Sequence, residues 1–131
     1  MSYPLVSILT PTYNRKRFIQ LCIFNLINQS YPLDKLEWFV LDDSDEPYSP
    51  DELKHIEDSI KPIKFKYVFE RTRQTIGAKR NKLVKLASYK TVIMMDDDDI
   101  YHPTYIKTSI DTMLEKKVSC VGSNQMIFYH Q

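Results

Sequence analysis

Thr91-Val92-Ile93-Met94-Met95 runs directly into Asp96-Asp97-Asp98-Asp99. A short apolar run bounded by polar residues reads as a buried strand. The four acids then stand where that strand leaves the core, the usual place for a ligand crevice in an α/β sheet. Adjacent unpaired carboxylates repel one another and raise each other's pKa. A divalent cation relieves that conflict, and hard carboxylate oxygens favour Mg²⁺, Mn²⁺ or Ca²⁺ over zinc. In an extended segment alternate side chains share a face, so Asp96 and Asp98 are expected to meet one ion while Asp97 and Asp99 point away. Acidic runs more often belong to solvated loops or helix starts. The position after a buried strand favours the metal here.

Upstream, the same pattern recurs twice. Leu5-Val6-Ser7-Ile8-Leu9 reads as a strand, broken by Thr10-Pro11-Thr12-Tyr13-Asn14. Leu36 to Leu41 reads as a second buried strand and is followed by Asp42-Asp43-Ser44-Asp45. Between them, Phe18, Ile19, Cys22, Ile23, Leu26 and Ile27 fall at helical spacing within Arg15 to Gln29, with Leu21 and Phe24 widening the buried face. Ser49-Pro50-Asp51-Glu52 is a helix start with a capping Ser, Pro at the first position and Glu three residues after the cap. Phe65, Tyr67 and Phe69 alternate with Lys64, Lys66 and Val68, which suits a strand near a sheet edge. A helix from Ile76 to Ser88 precedes the acidic strand. Another is opened by Pro103, and two short strands follow at Val118 to Val121 and Gln125 to Tyr129. Alternation of strands and helices predicts an α/β fold, a mostly parallel sheet with helices on both faces. Three polar loops, Thr10–Asn14, Asp42–Asp45 and Asp96–Asp99, then share the carboxyl edge and can line one crevice.

Composition narrows the function. The 131 residues suit one domain, and the net charge of +1 gives no basis for a nucleic-acid partner. No apolar run approaches the ~18 residues of a membrane span, and no signal-peptide pattern is present. Only two glycines occur, Gly77 and Gly122, so neither a P-loop nor a dinucleotide fingerprint can be built. Phosphates would have to be held by something else, and a metal gripped by the acids would serve. Cys22 and Cys120 lie in apolar surroundings and read as free thiols of a reducing compartment, hence an expected cytoplasmic location, with a disulfide left open.

Four segments together resemble the family 2 glycosyltransferases of the GT-A, Rossmann-like type: Val6 to Arg15, Val40 to Ser44, Gly77-Ala78-Lys79-Arg80-Asn81, and Met95 to Pro103 with its Asp-x-Asp motif. The resemblance implies inverting transfer of a sugar from a UDP-sugar to a hydroxyl acceptor with Mn²⁺ or Mg²⁺. It implies that Pro11 and Tyr13 border the base, Tyr13 packing on the ring. Stacking of that kind contributes about 1–3 kcal/mol per base. It assigns Asp43 to the uracil N–H, Arg80 to the diphosphate or base side, and Asp97 to the ribose or diphosphate. Asp98, helped by Asp96, is the expected metal ligand. Asp99 is expected at the donor sugar or capping the helix after Pro103. His102 is expected to cap rather than catalyse.

Family members run well beyond 131 residues. Residues 1–131 are therefore expected to be the donor-binding part, with the acceptor half and the catalytic base outside them. A non-catalytic nucleotide-sugar-binding module is the alternative. A haloacid-dehalogenase phosphatase or a receiver domain would need acids after the first strand, where Thr10-Pro11-Thr12 stands.

Overall fold

A computed structural model describes residues 3–116, 120–122 and 126–129. Among these, six strands form one sheet: β1 (Val6–Thr12), β2 (Leu36–Asp42), β3 (Lys64–Phe69), β4 (Thr91–Met94), β5 (Cys120–Gly122) and β6 (Met126–Tyr129). Four helices lie between them: α1 (Ile19–Ile27), α2 (Pro50–Ile60), α3 (Ile76–Leu86) and α4 (Tyr105–Lys116). The sheet order is β3-β2-β1-β4-β6-β5. Strands β1 to β4 are mutually parallel, and β6 runs antiparallel to both β4 and β5.

Handedness places the helices. The steps from β1 to β2 to β3 run one way across the sheet, so right-handed crossovers put α1 and α2 on the same face. The return from β3 to β4 runs the other way and puts α3 on the opposite face. The packing agrees. Cys22, Ile23 and Leu26 of α1, Ile56 and Ile60 of α2, and Ile106 and Ile110 of α4 share one core with Ile8, Trp38 and Ile93. Leu83 of α3 packs on the other face against Leu9, Phe39, Leu41, Val92 and Met94. The mostly parallel sheet with helices on both faces is thus present, with three helices on one side and one on the other.

Strand β1 is buried along its whole length because it has a partner strand on each side. Pro11 fits there for a local reason. The Leu9 carbonyl accepts from the Met95 N–H at 3.1 Å, so Leu9 faces β4, and two residues on Pro11 faces that side too. Pairing between β1 and β4 ends at Leu9, so the missing proline N–H costs no ladder bond. Trp38 Nε1 donates to Thr10 Oγ1 at 2.8 Å, and Thr10 Oγ1 donates to the Met95 carbonyl at 2.7 Å. That chain ties three strands together just below their carboxyl ends.

Helix α2 carries the expected capping box: Ser49 Oγ accepts from Glu52 N, and Glu52 Oε1 accepts from Ser49 N. Strand β3 is an edge strand, as expected. Other expectations are corrected. Helix α1 begins at Ile19, after a 3-10 turn over Lys16–Phe18, and neither start carries a side-chain cap. Phe24 is 56% exposed rather than part of the buried face, and Asn25 is buried in its stead. Helix α3 ends at Leu86, short of Ser88. Pro103 and Thr104 form a turn, and α4 starts at Tyr105. The two expected final strands are present as β5, which runs on to Gly122, and β6, while Val118, Ser119 and Gln125 of those expectations lie outside the described residues. Cys22 is a free, buried thiol, whereas the side chain of Cys120 lies outside the described residues.

Candidate functional site

The carboxyl ends of β1, β2 and β4 bring the three polar loops together, as the alternation of elements requires. At the end of β1, Thr12 Oγ1 donates to Asp97 Oδ2 at 2.6 Å. Asn14 then turns the chain with φ 52°, a left-handed conformation that Asn tolerates better than most residues. Its backbone N–H donates to Ser44 Oγ at 2.7 Å, and its side chain exchanges hydrogen bonds with Asp45. Arg15 turns the other way, towards the acids. Its Nη1 lies 2.5 Å from Asp98 Oδ2 and 3.5 Å from Asp97 Oδ1. A depression of about 430 Å³ opens on the Asn14 side of this loop, bordered by Lys16, Arg17, Ser44, Asp45 and Glu46.

The acids do not alternate as in a strand. Strand β4 ends at Met94, and Asp97 and Asp98 form a turn. Asp97 and Asp98 therefore both approach Arg15, while Asp96 pairs with Arg80 Nη2 at 3.4 Å. Asp97 is buried, and burial raises its pKa against the opposing pull of the Thr12 hydrogen bond and the Arg15 charge. Asp99 is also pushed up, first by desolvation and then by its acidic neighbours Asp98 and Asp96. Arg15 moves up through its hydrogen bond to Asp98. Desolvation pushes the Cys22 thiol up to about 12, so it is no nucleophile despite its contact with the Asp97 carbonyl.

At the end of β2, Asp43 is fully enclosed. Its Oδ1 accepts from Lys79 Nζ at 2.8 Å and its Oδ2 from the Gln74 N–H at 2.6 Å. Lys79 also donates to the Thr12 carbonyl at 3.2 Å, which joins this pair to the end of β1. The Arg73 guanidinium lies over the Tyr13 ring, 4.1 Å from its centroid. Pro11 is buried beside them. Thr75 caps α3 through Ala78 N at 3.1 Å and aims that helix at the same edge.

Reading the sequence missed several of these residues. Lys79 precedes the buried Leu83 by four, so helical spacing could have placed it on the inner face of α3. Arg15, Arg73, Gln74 and Thr12 meet their partners only through the tertiary fold. Asn25 is a further omission. Its Nδ2 donates to the Asp99 carbonyl at 2.8 Å, and its Oδ1 accepts from the Tyr101 N–H at 3.1 Å. The Tyr101 hydroxyl in turn accepts from Asp96 N at 2.7 Å. Asn25→Ala orphans both backbone groups and is expected to cost about 2 kcal/mol. Urea denaturation checks this, and a midpoint matching the parent chain contradicts the bracing role. His102 accepts from Thr104 N at 3.2 Å through Nδ1, a contact within the turn that precedes α4 and not a bond to an N–H of the helix itself.

The acids suit a hard divalent ion by donor type. Asp96 Oδ2 and Asp98 Oδ1 carry no hydrogen bond among the described residues, whereas their partner oxygens face arginines. Those residues include no group of three or more metal-ligating side chains. The protein thus offers one or two carboxylates to an ion, the pattern of sites whose remaining ligands come from substrate phosphates and water. Arg80 Nε is buried without a hydrogen-bond partner, an uncompensated donor beside these acids.

Comparison with known proteins fits this layout. The family model for glycosyl transferase family 2 matches residues 7–130. The chain is 30% identical over 123 residues to the Escherichia coli UDP-Glc:alpha-D-GlcNAc-diphosphoundecaprenol beta-1,3-glucosyltransferase WfgD, covering 94% of this chain and 46% of that protein. The fold matches the Pyrobaculum calidifontis mannosyltransferase PcManGT, solved with GDP-Man and Mn²⁺. That match has a TM-score of 0.81 at 23% identity and covers 93% of this chain and 36% of that one. It also matches S. aureus TarS in complex with UDP, with a TM-score of 0.72 at 24% identity over 88% of this chain and 33% of that one. The chain therefore spans about half, or less, of the length of these proteins. Its fold is of the GT-A type, and the chain belongs to glycosyl transferase family 2.

Proposed function

We propose that residues 1–131 bind the donor of a glycosyl transfer, a UDP-sugar held with Mn²⁺ or Mg²⁺, and that the transfer to a hydroxyl acceptor inverts the anomeric centre. The observation that carries this reading is the open carboxylate oxygens of Asp96 and Asp98 beside the part-exposed guanidiniums of Arg80 and Arg15. Those guanidiniums would pair with phosphate oxygens, and a divalent ion would satisfy the acids. UDP as the nucleotide is supported by the UDP-Glc donor of WfgD and by the UDP complex of TarS. The metal is supported by the Mn²⁺ complex of PcManGT.

In this reading Pro11 and Tyr13 border the uracil, with the Arg73 guanidinium over the Tyr13 ring, and Asp43, enclosed here by Lys79 and Gln74, exchanges the Gln74 N–H for the uracil N–H when the nucleotide enters. Asp97 faces the ribose or diphosphate, Asp98 and Asp96 are metal ligands, and Asp99 reaches the donor sugar. When bound, the ion would neutralise the charge that gathers on the departing diphosphate. Arg80 adds a fixed positive charge at that edge before the bond breaks, so little reorganisation is needed. The anomeric carbon loses the diphosphate oxygen and gains the acceptor oxygen on the opposite face. The acceptor's proton passes to a base not assigned among these residues. The free, buried Cys22 supports a reducing, cytoplasmic setting.

Calorimetry of the chain with UDP and Mn²⁺ tests the reading. UDP should bind with Mn²⁺ present, weaken at least tenfold with a chelator, and outcompete GDP. Equal affinity for both nucleotides removes the role of Asp43, and no nucleotide binding at all removes the proposal. Release of UDP from a UDP-sugar then separates an enzyme from a binding module.

A further inference from the structure

Charge is strongly segregated along this nearly neutral chain. Residues 61–90 hold ten of the eighteen Lys and Arg but one of the seventeen acids. The fold gathers four of them, Lys64, Lys66, Lys82 and Lys85, on one side. Phe65 and Tyr67 of β3 pack with the core under α1 and α2, whereas Val68 packs with the core under α3. Alternation therefore puts the exposed Lys64 and Lys66 on the α3 face. On α3 itself, Lys82 and Lys85 are exposed, with Leu86 beside them at 43% exposure. Lys82 pairs with Glu70. Among the described residues Lys64, Lys66 and Lys85 form no ion pair.

We propose that this α3–β3 face is a docking surface for an anionic lipid bilayer. A group of lysines with the aliphatic Leu86 among them matches a negative headgroup layer over an apolar interior. Three features favour lipid over other anions. The large exposed apolar residue on this face, Leu86, is aliphatic and offers no ring platform of the kind on which nucleic-acid bases stack. Its unpaired cations on β3 and α3 are lysines, point charges rather than the arginine forks that read base edges. The chain's own acidic stretch, residues 34–58, is a poor match for a second copy: Glu37, Asp42 and Asp43 are buried, Glu52 and Asp58 already hold lysines, and the exposed Asp34, Asp45, Glu46, Asp51 and Glu57 are spread over two connecting segments and α2.

The test is co-sedimentation of the full chain with vesicles of phosphatidylcholine alone or with 30 mol% phosphatidylglycerol, ~30% being a common anionic fraction for such assays. Binding should need the anionic lipid and fall when salt is raised from ~0.1 M to ~0.5 M, as screening shortens the Debye length. Each lysine contributes about fivefold near such a surface. Lys64→Gln/Lys66→Gln should therefore weaken partitioning roughly 25-fold, and adding Lys85→Gln roughly 100-fold. Lys54→Gln/Lys107→Gln, with the same loss of charge on the opposite face, should change it less than twofold. Four results would overturn the proposal: equal binding to neutral vesicles, equal loss in the control pair, full competition by soluble polyphosphate at matched phosphate, or salt-sensitive self-association without vesicle binding. None of these readouts depends on nucleotide binding, so the docking face and the donor site can fail separately.

Discussion

Asp43→Ala is expected to destabilise the chain by about 3–5 kcal/mol, the cost of removing one partner from a buried ion pair. The side chains of Lys79 and Asp43 are 5% and 0% exposed and 2.8 Å apart, so solvent does not screen the loss. The substitution leaves the ammonium with the Thr12 carbonyl alone and strips the Gln74 N–H of its acceptor. Lys79→Met should cost a similar amount by stranding the carboxylate. Against a total stability of roughly 5–15 kcal/mol, either change leaves the fold marginal. The double variant Asp43→Asn/Lys79→Met removes both charges and keeps an acceptor for Gln74. It should lose less than the sum of Asp43→Asn and Lys79→Met, which with the parent chain complete the cycle, with a coupling of at least ~2 kcal/mol. Urea denaturation of the four proteins gives that coupling, and simple additivity would show that the pair contributes nothing as a unit. The double variant should also fold well enough to show whether preference for UDP over GDP disappears with Asp43.

Much of the framework was legible because it rests on local rules. Three buried runs ending in polar residues fixed three parallel strands, and the Ser49–Glu52 box fixed the start of α2. The convergence of the Thr10–Asn14, Asp42–Asp45 and Asp96–Asp99 loops followed from parallel topology alone. What stayed hidden depends on contacts across the fold. Asp97 and Asp98 turn together because β4 stops at Met94 and Arg15 reaches across from the β1 loop, and nothing within the four acids specifies that reach. Phe24 looked like core by apolarity. The neighbouring Asn25 took the inward position because it can brace both the Asp99 carbonyl and the Tyr101 N–H, a demand set 74 residues away in one case and 76 in the other. Lys79 was passed over for a related reason. A lysine on the inner face of a helix is expected only when a buried acid awaits it, and Asp43 lies on a different strand.

Asp98→Ala carries the second large effect, on binding rather than on folding. Its side chain is 41% exposed and pairs with an Arg15 that is itself 40% exposed. Such pairs contribute about 0–1 kcal/mol, so the melting behaviour of this variant should stay close to that of the parent chain. If Asp98 is the main ligand of an ion shared with the diphosphate, UDP affinity in Mn²⁺ should fall by about 100-fold. Loss of a mere supporting group around a metal already costs 10–100-fold. A second comparison fixes the sign. Without metal, Asp98 is one more negative charge beside a polyanionic ligand, and removing it should leave UDP binding equal or stronger. The variant should therefore bind UDP worse than the parent in Mn²⁺ and no worse in chelator. A plain loss of shape predicts weakening under both conditions, and an acidic loop that merely repels phosphate predicts strengthening under both. Calorimetry of two proteins in two buffers distinguishes all three, and only the crossing of the two lines is compatible with a carboxylate that acts through a cation.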